Sequence, residues 1–539
     1  EDGLEIKVTV VKSEYSDAYE SYTAFTNGSG EAVTLEMMTS FLLPDVKADR
    51  IYRLLSFWSA EGRLKCDDLA DLNMEHAWND MAYRVEKFGS VGSMPVRKYF
   101  PFIALEDTKT HSFTAVQLYS PASWQIELVV RAGDVVTVAG GIADRDFGQW
   151  TKRIAPGETF TAPKAVIATG VSLEEVCDKL VKAQHPAISP IDDHMGITFN
   201  EYCATWGNPT IDNLKRLADK LEGKGIQYLV MDSGWYSDCG NWWEYRGDWN
   251  INRKRFPNGL KELADYVRSK GMIPGIWYEF ETVAPKSGHF EDAEHFIKKD
   301  GVPLTVGGAR FWDMQDPWVK DYLDKYVIAN LRDNGFGYIK VDYNDSTGVG
   351  IDGPDGPGEN LRNNMLATQE FFKKMCEEIP GLVIENCSSG GHRLEPSFMG
   401  IASMASFSDA HEIPSLPIIA ANLHRAVRPD QSQIWAVMRA GDSDSRIFYS
   451  MCATYLGRMG LSGDVYDLSD HQWELLDAAI AFYKKAAPII KDGYTYLNVA
   501  DTVSYNDPTG SQLVLRRSGD KVLCVYHRFK DSLPLDEFA

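Results

Sequence analysis

Tyr338-Ile339-Lys340-Val341-Asp342-Tyr343 is a short apolar run that closes on a carboxylate, and its rhythm recurs along the chain. Comparable runs stand at Met195–Asn200, Ile226–Ser233, Met272–Glu279, Leu382–Ser388, Ser403–Asp409, Gln433–Met438 and Leu461–Tyr466. Each has the length and continuous apolar character of a strand covered on both faces, and amphipathic segments separate most of them. One such segment opens at Asn208-Pro209-Thr210 and sets Ile211, Leu214, Ala218 and Leu221 on one face. Gly223 and Gly225 then stop it. Eight strand–helix units over about 300 residues predict a closed parallel (β/α)8 TIM barrel. A doubly wound open sheet is the alternative, but no G-x-G-x-x-G follows the first strand.

On either side the rhythm changes. Upstream, Ile6–Val11, Ala32–Glu36, Phe113–Leu118 and Ile126–Val130 alternate or nearly so, with turn clusters such as Asn27-Gly28-Ser29-Gly30 between them. They predict an antiparallel β-sandwich. The Asn27-Gly28-Ser29 triplet fits a glycosylation acceptor but reads more simply as a hairpin turn. Downstream, Gln512–Arg516 and Lys521–Tyr526 return to strand character. The reading is therefore a multidomain α/β chain: a sandwich over 1–172, a barrel over 173–490 and a partial antiparallel β domain over 491–539. Residues 533–539 read as a strand-rich region stopped early.

Composition narrows the function classes. At 539 residues the chain exceeds one ordinary domain, and 44% apolar with 24% charged residues is a globular balance. The formal charge, 55 − 77 = −22, repels phosphate backbones and argues against nucleic acid as a partner. No window approaches the roughly 20 apolar residues of a membrane span. The eight cysteines include no C-x-x-C pair, which supports neither a zinc knuckle nor a disulfide scaffold, and most read as buried thiols. The chain opens at Glu1 without a leader and so reads as processed or cut. A secreted or cell-surface location is the expectation, with a cytoplasmic one left open.

In a (β/α)8 barrel the chemistry sits where strands end at the C-terminal face. Here those ends are acidic: Asp232, Glu279 with Glu281, Asp342, Glu385 and Asp409. Helix capping explains a single such acid, but not five strands in succession. A magnesium barrel, such as a lyase, would draw on Glu279, Asp342 and Glu385. A zinc hydrolase would need histidines, yet no H-x-H follows the first strand and no H-E-x-x-H occurs. A glycosidase needs one ionised and one protonated carboxyl. The aromatics Trp235, Tyr236, Trp242, Trp243, Tyr245, Trp249, Trp277 and Tyr278 favour a sugar, although core packing accounts for about half of them.

These residues resemble glycoside hydrolase family thirty-six, the α-galactosidase and α-N-acetylgalactosaminidase type. Tyr338-Ile339-Lys340-Val341-Asp342-Tyr343-Asn344 resembles its Y-I-K-W-D-x-N, and Asp232-Ser233-Gly234-Trp235 resembles D-D-G-W. Gly247-Asp248-Trp249 with Phe256-Pro257-Asn258-Gly259-Leu260 is similar to G-D-W and F-P-x-G-L. Trp277–Glu281 is similar to W-x-E-P-E, Glu385–Arg393 to E-x-C-x-S-G-G-G-R, and Ser408-Asp409 to S-D. The motifs follow the family's order and cover nearly the whole chain. The resemblance implies a retaining exo-hydrolase that removes a terminal α-linked galactose-configured sugar from an oligosaccharide or glycoconjugate. It implies no metal and no organic cofactor, and it is compatible with a homo-oligomer.

The resemblance also assigns residues. Asp342 matches the nucleophile and Asp409 the acid/base, two carboxyls that a retaining mechanism holds roughly 5–5.5 Å apart. Lys340 matches a sugar-hydroxyl donor whose charge also keeps Asp342 ionised. Cys387 and Gly390 match contacts to the sugar's 2-position. Asp232, Ser233, Trp235, Trp277, Arg393, Tyr202, Glu201 and His392 complete the expected sugar site.

Several of these depart from the family pattern. Ser233 stands where a second aspartate is usual, and Asn200-Glu201-Tyr202-Cys203 stands near an N-x-W-E. His392 replaces a glycine, Phe280 a proline, and Ala410-His411-Glu412 follows the acid/base. These changes fall around the sugar. They keep open an α-galactosaminidase or α-N-acetylgalactosaminidase in which Glu201 or Glu412 meets an ammonium and His392 flanks a 2-substituent.

Overall fold

The structure is a computed structural model that describes residues 3–75, 78, 82–131, 135–237, 241–502 and 504–533. The reading of residues 533–539 as a curtailed strand region falls almost wholly outside the described residues.

The N-terminal part is an antiparallel sandwich. Its strands are β1 (Leu4–Lys12), β2 (Tyr19–Asn27), β3 (Thr39–Val46), β4 (Arg50–Leu55), β5 (Arg63–Asp68), β6 (Arg84–Ser90), β7 (Phe102–Asp107), β8 (Ser112–Leu118), β9 (Trp124–Val130), β10 (Val136–Ile142) and β11 (Ala165–Gly170). One sheet runs β1-β2-β11-β8-β7-β4-β5 and the other β3-β10-β9-β6. The alternating apolar positions of both sheets meet in a core built on Ile51, Val116, Leu118, Trp124, Ile126, Leu128 and Val138. Asn27 is fully buried, and its amide donates to the carbonyls of Glu31 and Ile154, so the Asn27-Gly28-Ser29 triplet serves as a turn.

The central part is a closed eight-stranded parallel barrel. Its strands are β12 (Thr198–Asn200), β13 (Tyr228–Met231), β14 (Ile273–Tyr278), β15 (Tyr338–Val341), β16 (Val383–Asn386), β17 (Met404–Ser406), β18 (Ser432–Met438) and β19 (Arg458–Gly463). All eight expected strands are present. The last begins three residues earlier than the apolar pattern predicts, because it opens on a buried charge. Arg458 donates to Asp192 at 2.6 Å, and Tyr228 donates its hydroxyl to the same oxygen at 2.8 Å. This pair sits at the barrel seam, where β12 meets β19 in the register Thr198↔Gly460 and Phe199↔Leu461. Helix Ile211–Leu221 starts with a capping box between Thr210 and Asn213, and its Leu214, Leu217, Ala218 and Leu221 face the core.

Alternation along β15 fixes what enters the barrel. Tyr338 joins Tyr228, Val230, Val383 and Met404 in an interior layer. Lys340 is next on the same face, and Asp342 follows at the mouth. A three-stranded antiparallel sheet closes the chain: β20 (Tyr494–Ala500), β21 (Ser511–Ser518) and β22 (Lys521–Arg528). Of the seven described cysteines only Cys177, Cys203 and Cys387 are buried, and Cys66 and Cys524 are exposed; Cys239 lies outside the described residues. The expectation that most are buried is corrected accordingly. Strand alternation is the cause, since β5 and β22 turn one face to solvent.

Arg458→Met should strand Asp192 as an uncompensated buried charge and cost about 3–5 kcal/mol of stability. Denaturant unfolding measures this. A loss within error would show that the seam does not depend on the pair.

Candidate active site

Lys340 organises the mouth from below. Its ammonium donates to Asp232 at 2.9 Å, with both side chains buried, and lies 5.1 Å from the centre of the Trp435 ring. Burial works against its charge, but Asp232 and then Cys387, Glu385 and Asp342 outweigh burial and hold the pKa well above the usual lysine value. Asp232 accepts further bonds from Asn200 Nδ2 at 2.7 Å and from the Ser233 amide at 2.8 Å. Its own amide donates to Glu201 at 2.9 Å.

Asp342 lies one residue past β15. Its Oδ1 accepts the amides of Tyr343 at 2.8 Å and Ser389 at 3.1 Å, and Oδ2 accepts the Trp277 indole at 3.3 Å. Three N–H donors suit an anion. Asp409 is half-buried and differs. Burial, and then the charge of Asp342, raise its carboxyl to about 6. The Trp58 indole N–H donates to Asp409 Oδ2 at 2.9 Å and opposes that rise. Gly390 lets the loop after β16 pass beneath Asp409. At φ +79° a Cβ there would stand 2.8 Å from the Asp409 amide nitrogen and from Ser408 Cα.

The other expected residues divide. Tyr202 is half-buried beside Trp206 and His411; burial, and then Asp232, push its phenol up to about 12. Ser233 keeps a buried hydroxyl with no hydrogen-bond partner. Cys387 is a buried thiol raised well above its usual range by burial and then by Asp342. Trp277 joins the mouth through its indole N–H, and its carbonyl accepts the Trp235 indole at 2.9 Å. Trp235 itself is fully buried among Tyr236, Trp249 and Tyr278, so its only polar atom is spent behind the site.

Arg393 is likewise spent. It ion-pairs with Glu281, donates to the Ser93 carbonyl at 3.3 Å, and lies 3.6 Å from the centre of the Tyr343 ring, tying the barrel to the sandwich. His392 packs beneath the sandwich, where its carbonyl accepts the Val96 amide at 3.0 Å. Burial and then Arg97 lower its pKa to about 4, so it is neutral, and its Nδ1 has no partner. The two acids offered for an ammonium are already engaged. Glu201 is buried and accepts from Thr205 and the Asp232 amide, and burial drives it up to about 8. Glu412 pairs with Arg439, with Nε to Oε2 at 3.1 Å.

The carboxylates of the magnesium reading do not converge either. Glu279 accepts from Arg246, Thr282 and Asn344, and Glu385 from Tyr338 and Gln433. Among the described residues no three His, Cys, Asp or Glu side chains are grouped to hold a metal ion. Trp58 and Glu61 come from outside the barrel and were not found from the sequence. Glu61 is fully buried against the loop that carries Ser408 and Asp409, and burial raises it to about 8. Neither residue belongs to a strand end or a motif, so no local signal marks them.

A family model described as Melibiase matches residues 159–493. Alpha-galactosidase Mel36A of Lactobacillus acidophilus is 25% identical over 386 residues, 68% of this chain and 50% of its own length. Alpha-galactosidase AgaA of Geobacillus stearothermophilus is 24% identical over 379 residues, 67% of this chain and 50% of its own. The chain thus spans about half the length of these curated relatives. The crystal structure of GH36 alpha-galactosidase AgaA superposes with a TM-score of 0.87 at 21% identity, covering 98% of this chain and 73% of that one. A substituted form of AgaA in complex with raffinose gives the same TM-score at 20% identity, with the same coverage. At these identities the likeness is one of fold.

Gly390→Ala should lose about 1–2 kcal/mol from the left-handed backbone alone, and the added methyl should push the Asp409 backbone outward. Unfolding experiments and an NMR titration of the Asp409 carboxyl read the two effects. An unchanged titration would show that Gly390 does not set the position of Asp409.

Proposed function

The chain belongs to the melibiase family, and from that premise we propose that it is a retaining exo-glycosidase releasing a terminal α-linked galactose from an oligosaccharide. The observation that carries this reading is two carboxyls at the barrel mouth in unlike surroundings. Asp342 takes three N–H donors, and Asp409 is raised to about 6, in part by Asp342 itself.

In this reading Asp342 attacks the anomeric carbon while Asp409 gives its proton to the departing glycosidic oxygen, and a β-linked glycosyl-enzyme forms. Asp409, now ionised, takes a proton from water. That water attacks from the face the leaving group vacated, so the α-configuration is retained. Lys340 and Asp232, locked to each other, present a fixed cation and acceptor to the sugar hydroxyls. A 2-amino sugar gains no support, because Glu201 and Glu412 are both engaged.

Three outcomes test the reading. Asp342→Ala should fold normally and lose on the order of 10⁴-fold or more in kcat, and azide should rescue it to give a β-glycosyl azide. An active Asp342→Ala would end the assignment. Because Asp409 must be protonated for the first step, kcat/KM should fall as pH rises through about 6. Trp58→Phe removes a donor that favours the ionised form and should move that limb to higher pH; movement the other way would contradict the acid role. Finally, an aryl α-galactoside should be hydrolysed far faster than the α-N-acetylgalactosaminide, and the reverse order would overturn the sugar assigned.

A further inference from the structure

Trp58 meets Asp409 from a place where packing alone does not hold it. Its indole donates to Asp409 Oδ2 at 2.9 Å, yet the side chain is 53% exposed. It belongs to the turn Ser56–Gly62 that joins β4 to β5, two strands paired up to Leu55↔Arg63. A turn of this kind reaches the mouth in one shape only if its backbone groups are bound.

Glu61 supplies much of that binding. It is fully buried, and its Oε1 accepts the Ser59 amide at 3.0 Å. Ser59 is held at φ 57°, in the left-handed region that a residue other than glycine adopts only with support from its surroundings. The Ala60 amide donates to the Phe57 carbonyl at 3.0 Å, and the Ser56 amide to the Lys98 carbonyl at 2.8 Å. On the barrel side the Glu61 stem lies against Gly391, where a Cβ would stand 2.8 Å from Glu61 Cγ. Beyond the carboxyl is Ser408, the residue before the acid/base. Its hydroxyl acts on Glu61, although Oε2 has no well-formed hydrogen bond. One side chain therefore ties together the Trp58 turn, the loop after β16 and the approach to Asp409.

We propose that Glu61 is a positioning residue for the acid/base: by holding the Ser59 amide and filling the space between Gly391 and Ser408, it keeps the Trp58 indole on the Asp409 carboxyl. The role rests on the reading of Asp409 as acid/base, but the contact itself does not. Charge does not supply the effect. Burial lifts Glu61 to about 8, with Asp409 adding to the rise and Ser408 opposing it, so near pH 6 the side chain is neutral. Tyr505, the other titratable group beside it, is kept neutral by burial as well. The charges acting on Asp409 at that pH are Asp342, Lys340 and Asp232, all from the barrel. Glu61 instead acts through the Trp58 donor, which favours the ionised carboxylate and holds Asp409 below where burial and Asp342 would put it.

Variants that separate the acceptor from the volume test this. Glu61→Gln keeps an acceptor for the Ser59 amide, whereas Glu61→Met and Glu61→Leu fill the space without one. In the 15N-tryptophan-labelled chain the Trp58 indole resonance, identified by its loss in Trp58→Phe, should shift as Asp409 titrates near 6. That shift should persist in Glu61→Gln and vanish in Glu61→Met and Glu61→Leu, while the other indole resonances stay in place and show that the fold is kept. The alkaline limb of kcat/KM should move up by about 0.5–1 unit in Glu61→Met, as in Trp58→Phe. The double variant should move it no further, because both changes remove the same donor. A Trp58 resonance that titrates equally in Glu61→Met overturns the proposal, as do additive shifts in the double variant and a Glu61→Gln that behaves like Glu61→Met. Indole resonances that behave as expected in a chain that hydrolyses no α-galactoside would uphold the contact and fault the glycosidase reading instead.

Discussion

Lys340 holds its proton at a depth where burial alone would remove it, and the mouth of the barrel depends on that charge. Asp232, Asp342, Glu385 and Asp409 all belong to strands that end around it, and such a group of carboxylates without a cation would have to protonate or separate. The ammonium binds Asp232 directly and lowers the cost of charge on Glu385 and Asp409. Its position follows from strand alternation: Lys340 can reach the interior only because Tyr338 below and Asp342 above share its face. The charge that binds Asp232 is thus placed by the same periodicity that delivers Asp342 to the mouth.

The sandwich is part of this arrangement. Trp58 reaches Asp409 with its indole N–H, Glu61 fills the space behind Ser408, and Ser93 meets Tyr343, Thr347 and Arg393 around its backbone and hydroxyl. Arg393 is bound to Glu281 on the barrel and to Ser93 on the sandwich, so the loop carrying Ser389 and Gly390 is clamped between the two. Asp409 is therefore enclosed by residues from both parts, and its desolvation, the main cause of its raised pKa, is a property of their contact.

Much of this was legible beforehand. The eight strands announced themselves because parallel strands buried on both faces must be apolar throughout, so the polar residue that ends each one stands out. That contrast located Asp232, Asp342 and Asp409. It failed where a charge is itself buried: Arg458 reads as an interruption until Asp192 is placed beside it. It also overstated the sugar site. Trp235 and Arg393 belong to motifs, yet their polar atoms are bound to Trp277 and to Glu281 with Ser93. Glu201 and Glu412 looked free for a ligand because Thr205 and Arg439 are not visible as their partners from local sequence.

By itself the sequence determined the barrel and the flanking antiparallel sheets, since these rest on periodicity, and it showed that acids end the strands; the choice of Asp342 and Asp409 among those acids rests on the family resemblance. Only the tertiary structure decided the raised pKa of Asp409, because protonation answers to burial and neighbouring charge summed over groups far apart in the chain. Asp342 and Asp409 look alike as letters. One meets three N–H donors, the other the indole N–H of Trp58, and that difference exists only once residues 58 and 409 are brought together.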